Sequence, residues 1–320
     1  MHTSHFSRRQ ILAALPGFVF VSSTHAQEHL PQSVTFKGAD KFARIVAAAQ
    51  RGNWRVLPMG QRVSKFALEM KGTPYVGYTL EIDDRVESPS VNFNGLDCWT
   101  FFEAALGLAR MIEVPRERYT PSDLLREIEW TRYRGGVCRG NYLDRIHYLA
   151  EWYFDNAARG DIDDVTKRIS PTQRMTGRKI QEMTVLWKGY RYLRKNPSLL
   201  TGMRTHELRI AQYPFYYIPK DRARAAEPKI QSGDIIGIVT NHHGAFCSHV
   251  GLAYRGDDGV CRFMHASKNY KKVVIDKSIS GYLADFKSHA GIIVGRPLPR
   301  SEAITDLSVY ASKLRKITDS

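Results

Sequence analysis

The stretch NGLDCWTFFEAALGLAR, Asn94 to Arg110, decides the reading of the fold. Past its first turn the residues are apolar on nearly every side: Phe101, Phe102, Ala104, Ala105, Leu106, Leu108 and Ala109, continued by Met111 and Ile112. A helix without a polar face is the buried central helix of a domain. At its head stands Cys98, directly after Asp97. Standing alone, a cysteine there reads as ordinary packing, because a free cysteine behaves as a small hydrophobe. A helix start also offers unpaired N–H groups and the positive end of the helix dipole, both of which favour a thiolate. Cys98 is therefore either core packing or a nucleophile, and the rest of the chain has to decide between them.

Upstream, GADKFARIVAAAQRGN reads as a helix ending at Gly52. MGQRVSKFALEMKG is a stronger one, with Val63, Phe66, Ala67 and Met70 on one face and Gly72 as the stop. Downstream, Thr120-Pro121-Ser122-Asp123 is a capped start with proline in the first helical position, and the helix is expected to run to Gly135. YLDRIHYLAEWYFDNAARG, from Tyr142, is expected to form one helix to Gly160. From residue 161 to about 215 the chain is basic, mixed and helical with loops. The period then changes. GDIIGIVT, FCSHVGLAY, VCRFMHAS, KVVID and AGIIVGR read as strands, the second and third joined by RGDDG as a hairpin. Helices followed by a run of antiparallel strands indicate the α+β class.

The 320-residue chain, 43% hydrophobic and 25% charged, has the composition of an ordinary globular protein. Its first 26 residues differ. Paired Arg8 and Arg9, a short apolar stretch and small residues before Gln27 indicate an export signal, twin-arginine-like or general secretory, with a buried N-terminal helix as the plain alternative. The protein is expected to be exported, to the periplasm, with residues 27–320 as one domain. No later stretch approaches the roughly 20 apolar residues of a membrane helix. Much of the formal charge of +15 lies between Arg174 and Arg224, where twelve Lys/Arg stand against Glu182, Glu207 and Asp221. Such a face suits an anionic polymer. A wall polymer is the expected one and nucleic acid is not; a solvated basic face without a partner is the plain alternative.

If the hairpin closes with Tyr254 facing Val260, counting outward sets His249 opposite His265, on one face of the sheet. A slip of one residue would separate them. With Cys98 brought to this face, His249 would take the thiol proton and His265 would orient it. The helix-start N–H groups, with the Tyr75 hydroxyl and Asp97, are the candidates for the oxyanion site and for substrate positioning. Cys247, two residues before His249, is expected on the same face, free or disulfide-bonded. The redox states of Cys138 and Cys261 stay open. His242, His243, Cys247 and His249 are competent zinc ligands, but they lack a tight ligand pair, and His206 in HEL lacks its second histidine. No metal and no cofactor is expected.

GTPYVGYTLE, LDCWTFFEAAL, RIHYLAEWYFDN, SGDIIGIVT, SHVGLAY and HAS occur in the order found in the N-acetylmuramoyl-L-alanine amidase-like family, a branch of the NlpC-type papain-like cell-wall hydrolases. The chain resembles that family from about Met59 to Arg296. The resemblance implies a papain-like core with a large helical insertion from about Gly107 to Tyr217. It places the catalytic roles on Cys98, His249 and His265, and the motif tyrosine on Tyr75. It makes Arg145 and His147 candidate substrate contacts, with a structural role on a helix face as the equal alternative. A glycine is expected where Tyr78 stands. The implied function is hydrolysis of peptidoglycan amide bonds, as an amidase or stem-peptide endopeptidase, through an acyl-enzyme. The alternatives are acyl transfer, another amide substrate, or a wall- or polyanion-binding protein whose thiol is incidental.

Overall fold

The computed structural model describes residues 29–302 and 306–319, so the expected export segment, 1–26, lies outside the described residues. The central helix runs Cys98–Met111 and starts on the cysteine itself. Asp97 is its N-cap. The Asp97 carboxylate accepts from the Thr100 N–H at 2.8 Å, and the Thr100 hydroxyl accepts from the Asp97 N–H at 3.0 Å. This reciprocal capping box satisfies two backbone donors and sets the first helical residue. The helix is buried along its length from Thr100 to Met111. It also carries two charged residues that its composition hides. Glu103 pairs with Arg132 at 2.7 Å, and Arg110 bonds Thr131 and the Asp161 carbonyl.

The five expected strands form the long part of one sheet, in the order His289–Pro297, Ile235–Thr240, Cys247–Arg255, Cys261–Ser267, Lys272–Ser278. Short strands from the middle of the chain, Tyr216–Pro219 and then Gln173–Arg174, extend it beyond His289–Pro297, and Ile162–Asp164 pairs with that same strand. Every pairing in this sheet is antiparallel. Helices and antiparallel strands are segregated along the chain, which makes the fold α+β. Apolar side chains cover both faces. The central helix packs on one, with Val239, Val250, Leu252, Met264 and Ala266. Ile279, Tyr282 and Leu283 of the Ile279–Ala284 helix pack on the other, with Ile236, Ile238, Ala253 and Phe263. Among the described residues, no helix is long and apolar enough to cross a membrane.

Two helix bounds need correction here. The helix expected from Tyr142 starts only at Leu149. Residues Tyr142–Asp144 form a 3-10 turn capped by Asn141, and extended Arg145 bridges to Tyr133. The 120s helix stops at Arg132, short of Gly135.

The hairpin register is also shifted. Tyr254 pairs with Arg262 rather than Val260, and Leu252 with Met264. A shift of two residues preserves side-chain parity, so His249 and His265 keep one face but stand diagonally rather than opposite. Cys247 does not share that face. Ile238 pairs with His249 and Val239 with Cys247, leaving Ser248 as a bulge. One extra residue inverts the alternation, so Cys247 packs on the central-helix side and His249 on the other.

Candidate active site

The ladder between Cys247–Arg255 and Cys261–Ser267 ends at the Leu252–Met264 pair. Just beyond it, the Val250 amide reaches the Cys98 thiol electrostatically and favours its thiolate. The head of the central helix therefore meets the sheet where two strands have parted, and the thiol sits beside the residue that follows His249. Cys98 and His249 line one small pocket with Cys247 and Ser248. Among the described contacts no hydrogen bond joins this thiol to an imidazole. Burial, and after it the Asp97 charge, push the thiol up to about 12, against the amides of Val250, Trp99 and Cys98, which pull it down. Desolvation outweighs the pull of the helix start, so the surroundings of Cys98 favour the thiol over the thiolate.

His249 and His265 are in contact. His249 Nε2 lies 2.7 Å from His265 Nδ1, and the two rings cross at 87°. His265 Nε2 in turn lies 3.4 Å from Asp276 Oδ2. His265 stacks on Phe263 at 4.7 Å, and Tyr282 packs edge-on at 5.1 Å. These apolar walls have a consequence for charge. Burial first, then the His265 and His289 rings, hold His249 well below the ordinary histidine range. Burial lowers His265 too, although Asp276 opposes it. Sequence reading overlooked Asp276. It lies at the irregularity between Ile275 and Ser278, and its carboxylate reaches the His265 ring there, a relation visible only once the chain is folded.

The pocket opens into a cleft of about 590 Å³, lined among others by Tyr75, Tyr78, Trp99, His147, Glu182 and Tyr190. The Tyr75 hydroxyl is pushed up to about 12 by burial, then by Cys98, Asp97 and Tyr78. It is a protonated donor within electrostatic reach of the thiol. Asp97 lines the cleft, but its oxygens are engaged: Oδ1 by Thr100 and Oδ2 by the Thr79 hydroxyl at 3.1 Å. Its role here is that of a cap. Arg145 is buried in the wall, 2.8 Å from Glu81 and 3.5 Å from Glu87, with its guanidinium 4.7 Å from the Tyr142 ring. Its charge is neutralised inside the protein, so it shapes the cleft rather than presenting a free cation. His147 donates from Nε2 to the Tyr142 carbonyl at 3.0 Å. Burial, then Arg145 and Arg134, keep it neutral.

Several lining residues had no prominent sequence signature. Glu81 ties the loop after Tyr78 to the middle segment through Tyr142, Arg145 and the Tyr192 amide. Tyr78 takes a left-handed backbone, φ 61°, which explains why a glycine is expected there. Its ring is 66% exposed and meets Tyr190 edge-on at 6.2 Å across the mouth of the cleft. Lys188, Arg191 and Arg194 lie exposed beside Tyr190. His242 and His243 are exposed on the loop after Thr240. All four cysteines, Cys98, Cys138, Cys247 and Cys261, are free thiols in this structure.

Comparison with known proteins adds an independent line. Residues 65–292 match a family described as N-acetylmuramoyl-L-alanine amidase-like. The chain is similar to the crystal structure of an N-acetylmuramoyl-L-alanine amidase from Bacteroides uniformis, at 31% identity and a TM-score of 0.67, covering 75% of this chain and 98% of that one. It is similar to a structure described as a putative xylanase from Bacteroides fragilis, at 33% identity and a TM-score of 0.63, covering 72% and 98%. A Legionella pneumophila protein shares the fold at 21% identity and a TM-score of 0.61, over 82% and 96%. No curated relative matches the chain.

Proposed function

The chain belongs to the N-acetylmuramoyl-L-alanine amidase-like family, and we propose on that footing that it is an exported cysteine hydrolase cleaving amide bonds of peptidoglycan. The observation that carries the reading is the shared pocket of Cys98 and His249, with His265 bonded to the second ring nitrogen of His249. We read the core as papain-like: a cysteine heads the central helix, and histidines follow on the next strands.

In this mechanism the substrate carbonyl enters beside Cys98. His249 takes the thiol proton as the sulfur attacks, so that charge separates only as the carbon–sulfur bond forms. The helix-start N–H groups and the Tyr75 hydroxyl receive the developing oxyanion. The tetrahedral adduct collapses, the amine leaves with the proton from His249, and an acyl-cysteine remains. Water, deprotonated by His249, then releases the carboxylate and restores the thiol. The steps balance without a cofactor. Exposed Lys188 and Arg194, close in sequence to the cleft-lining Tyr190, suit the carboxylate-bearing wall polymer.

The xylanase description of one neighbour implies glycoside chemistry, which requires two available carboxyl groups flanking the bond. In this cleft Glu81 is tied to Arg145 and Asp97 to the helix cap, leaving Glu182. The residues favour amide cleavage. Digestion of purified peptidoglycan by wild-type and Cys98→Ala protein, with products read by mass, tests this. New products from the wild type alone are expected, and they identify the bond; identical profiles would sink the hydrolase reading. Export rests on Arg8 and Arg9 with the short apolar stretch that follows. Fractionation of cells expressing the full chain checks it, and retention in the cytoplasm would overturn it.

A further inference from the structure

We propose that Asp276 is a positioning residue that sets the proton on both histidines of the site, acting through His265 to leave His249 Nδ1 free as the base. The inference rests on the cysteine-hydrolase reading for its consequence, but its geometry stands separately. Asp276 Oδ2 faces His265 Nε2 at 3.4 Å, His265 Nδ1 faces His249 Nε2 at 2.7 Å, and Asp276 Oδ1 accepts the Lys277 amide at 2.8 Å.

The logic is one of donors and acceptors. A carboxylate oxygen facing a ring nitrogen accepts, so the Asp276 contact places the His265 proton on Nε2. Its Nδ1 is then a lone pair, and the 2.7 Å contact is a hydrogen bond only if His249 carries its proton on Nε2. That leaves His249 Nδ1 unprotonated and, among the described residues, without a hydrogen-bond partner. It is the nitrogen left for the thiol. When the thiol proton arrives there, the new imidazolium keeps its Nε2–H on His265, and the Asp276 charge stabilises it through that ring without itself taking a proton. His265 and Asp276 side chains are 2% and 9% exposed, so water competes little for these bonds.

Asp276→Asn gives an isosteric test with a definite sign. The Lys277 amide holds the Asn oxygen at the Oδ1 position, so the new NH2 occupies the Oδ2 position and can only donate to His265 Nε2. His265 must then carry its proton on Nδ1 and donate it to His249 Nε2. His249 ends with its proton on Nδ1, where the base should be. Nitrogen-15 NMR of the histidine rings reads both tautomers directly. The expected result is Nε2–H on both rings in the wild type and Nδ1–H on both in Asp276→Asn, with kcat on peptidoglycan fragments reduced at least about tenfold and KM little changed. Asp276→Ala, which removes the acceptor without imposing a donor, is expected to give mixed tautomers and a smaller loss. Wild-type tautomers in Asp276→Asn would overturn the proposal, as would inverted tautomers with unchanged kcat. If the wild type turns over no peptidoglycan fragment, the hydrolase reading fails, and the tautomers still decide the role of Asp276.

Discussion

Cys98 is subject to two opposing influences. The helix start and the Val250 amide favour its thiolate, while burial and the Asp97 charge favour the thiol; burial is the largest and the thiol is pushed up to about 12. With His249 held below the ordinary histidine range by the same burial, the resting pair is neutral. Alkylation of Cys98 by iodoacetamide is therefore expected to be slow near neutrality and to climb without a plateau as pH rises through about 10, since only the thiolate reacts. A plateau already reached near about pH 6 would instead indicate a preformed thiolate–imidazolium pair. Residue type and spacing made Cys98, His249 and His265 visible before any fold was known. The protonation of the thiol was not visible, because desolvation depends on what the folded chain packs around a group. Cys247 shows the same limit at its sharpest: one bulged residue, Ser248, moves it to the other face of the sheet from the one that strand alternation assigns.

The central helix owes its start to Asp97 and Thr100, and the cap also acts on the chemistry. The Asp97 carboxylate closes the capping box, while its charge raises the thiol. Asp97→Ala should thus have two effects of different kind. Stability should fall by about 1 kcal/mol through the lost cap, and the thiol should become more acidic. Thermal unfolding measures the first and thiol titration the second; a variant with an unchanged thiol would show that the Asp97 charge does not reach the sulfur. Elements with a strong period or a clear cap were legible in the sequence: the central helix, the Thr120-capped helix and all five long strands. The segment from Tyr142 to Tyr148 was not. Its apolar spacing suits a helix, but Arg145 is drawn into an extended bridge with Tyr133 by the buried carboxylates of Glu81 and Glu87, which are distant in sequence.

Over the whole molecule, several histidines are enclosed in neutral form. Burial first, then nearby cations, bring His206 and His289 down to about 4, while in the unfolded chain each titrates near the ordinary histidine value of 6.5. A lowered folded pKa means that the unfolded state binds more protons between these values, so the contribution of these histidines to stability is intact above 6.5 and is lost as pH falls towards 4. Buried carboxylates with raised values, such as Glu87 and Glu103, act with the opposite sign. Comparing melting temperature against pH for wild type and His289→Phe isolates the histidine part: the variant should lose less stability on acidification, and parallel curves would refute the linkage. At this scale the sequence by itself determined the class of the fold, the buried helix, the strands and the three residues of the candidate site, because each is written in local periodicity, capping chemistry or residue type. Only the tertiary structure decided which faces those residues share, that the thiol rests neutral, that Arg145 and Asp97 are already engaged, and that Asp276 stands behind His265. Those outcomes depend on strand register, on one bulge and on desolvation, which arise from contacts between residues far apart in the chain.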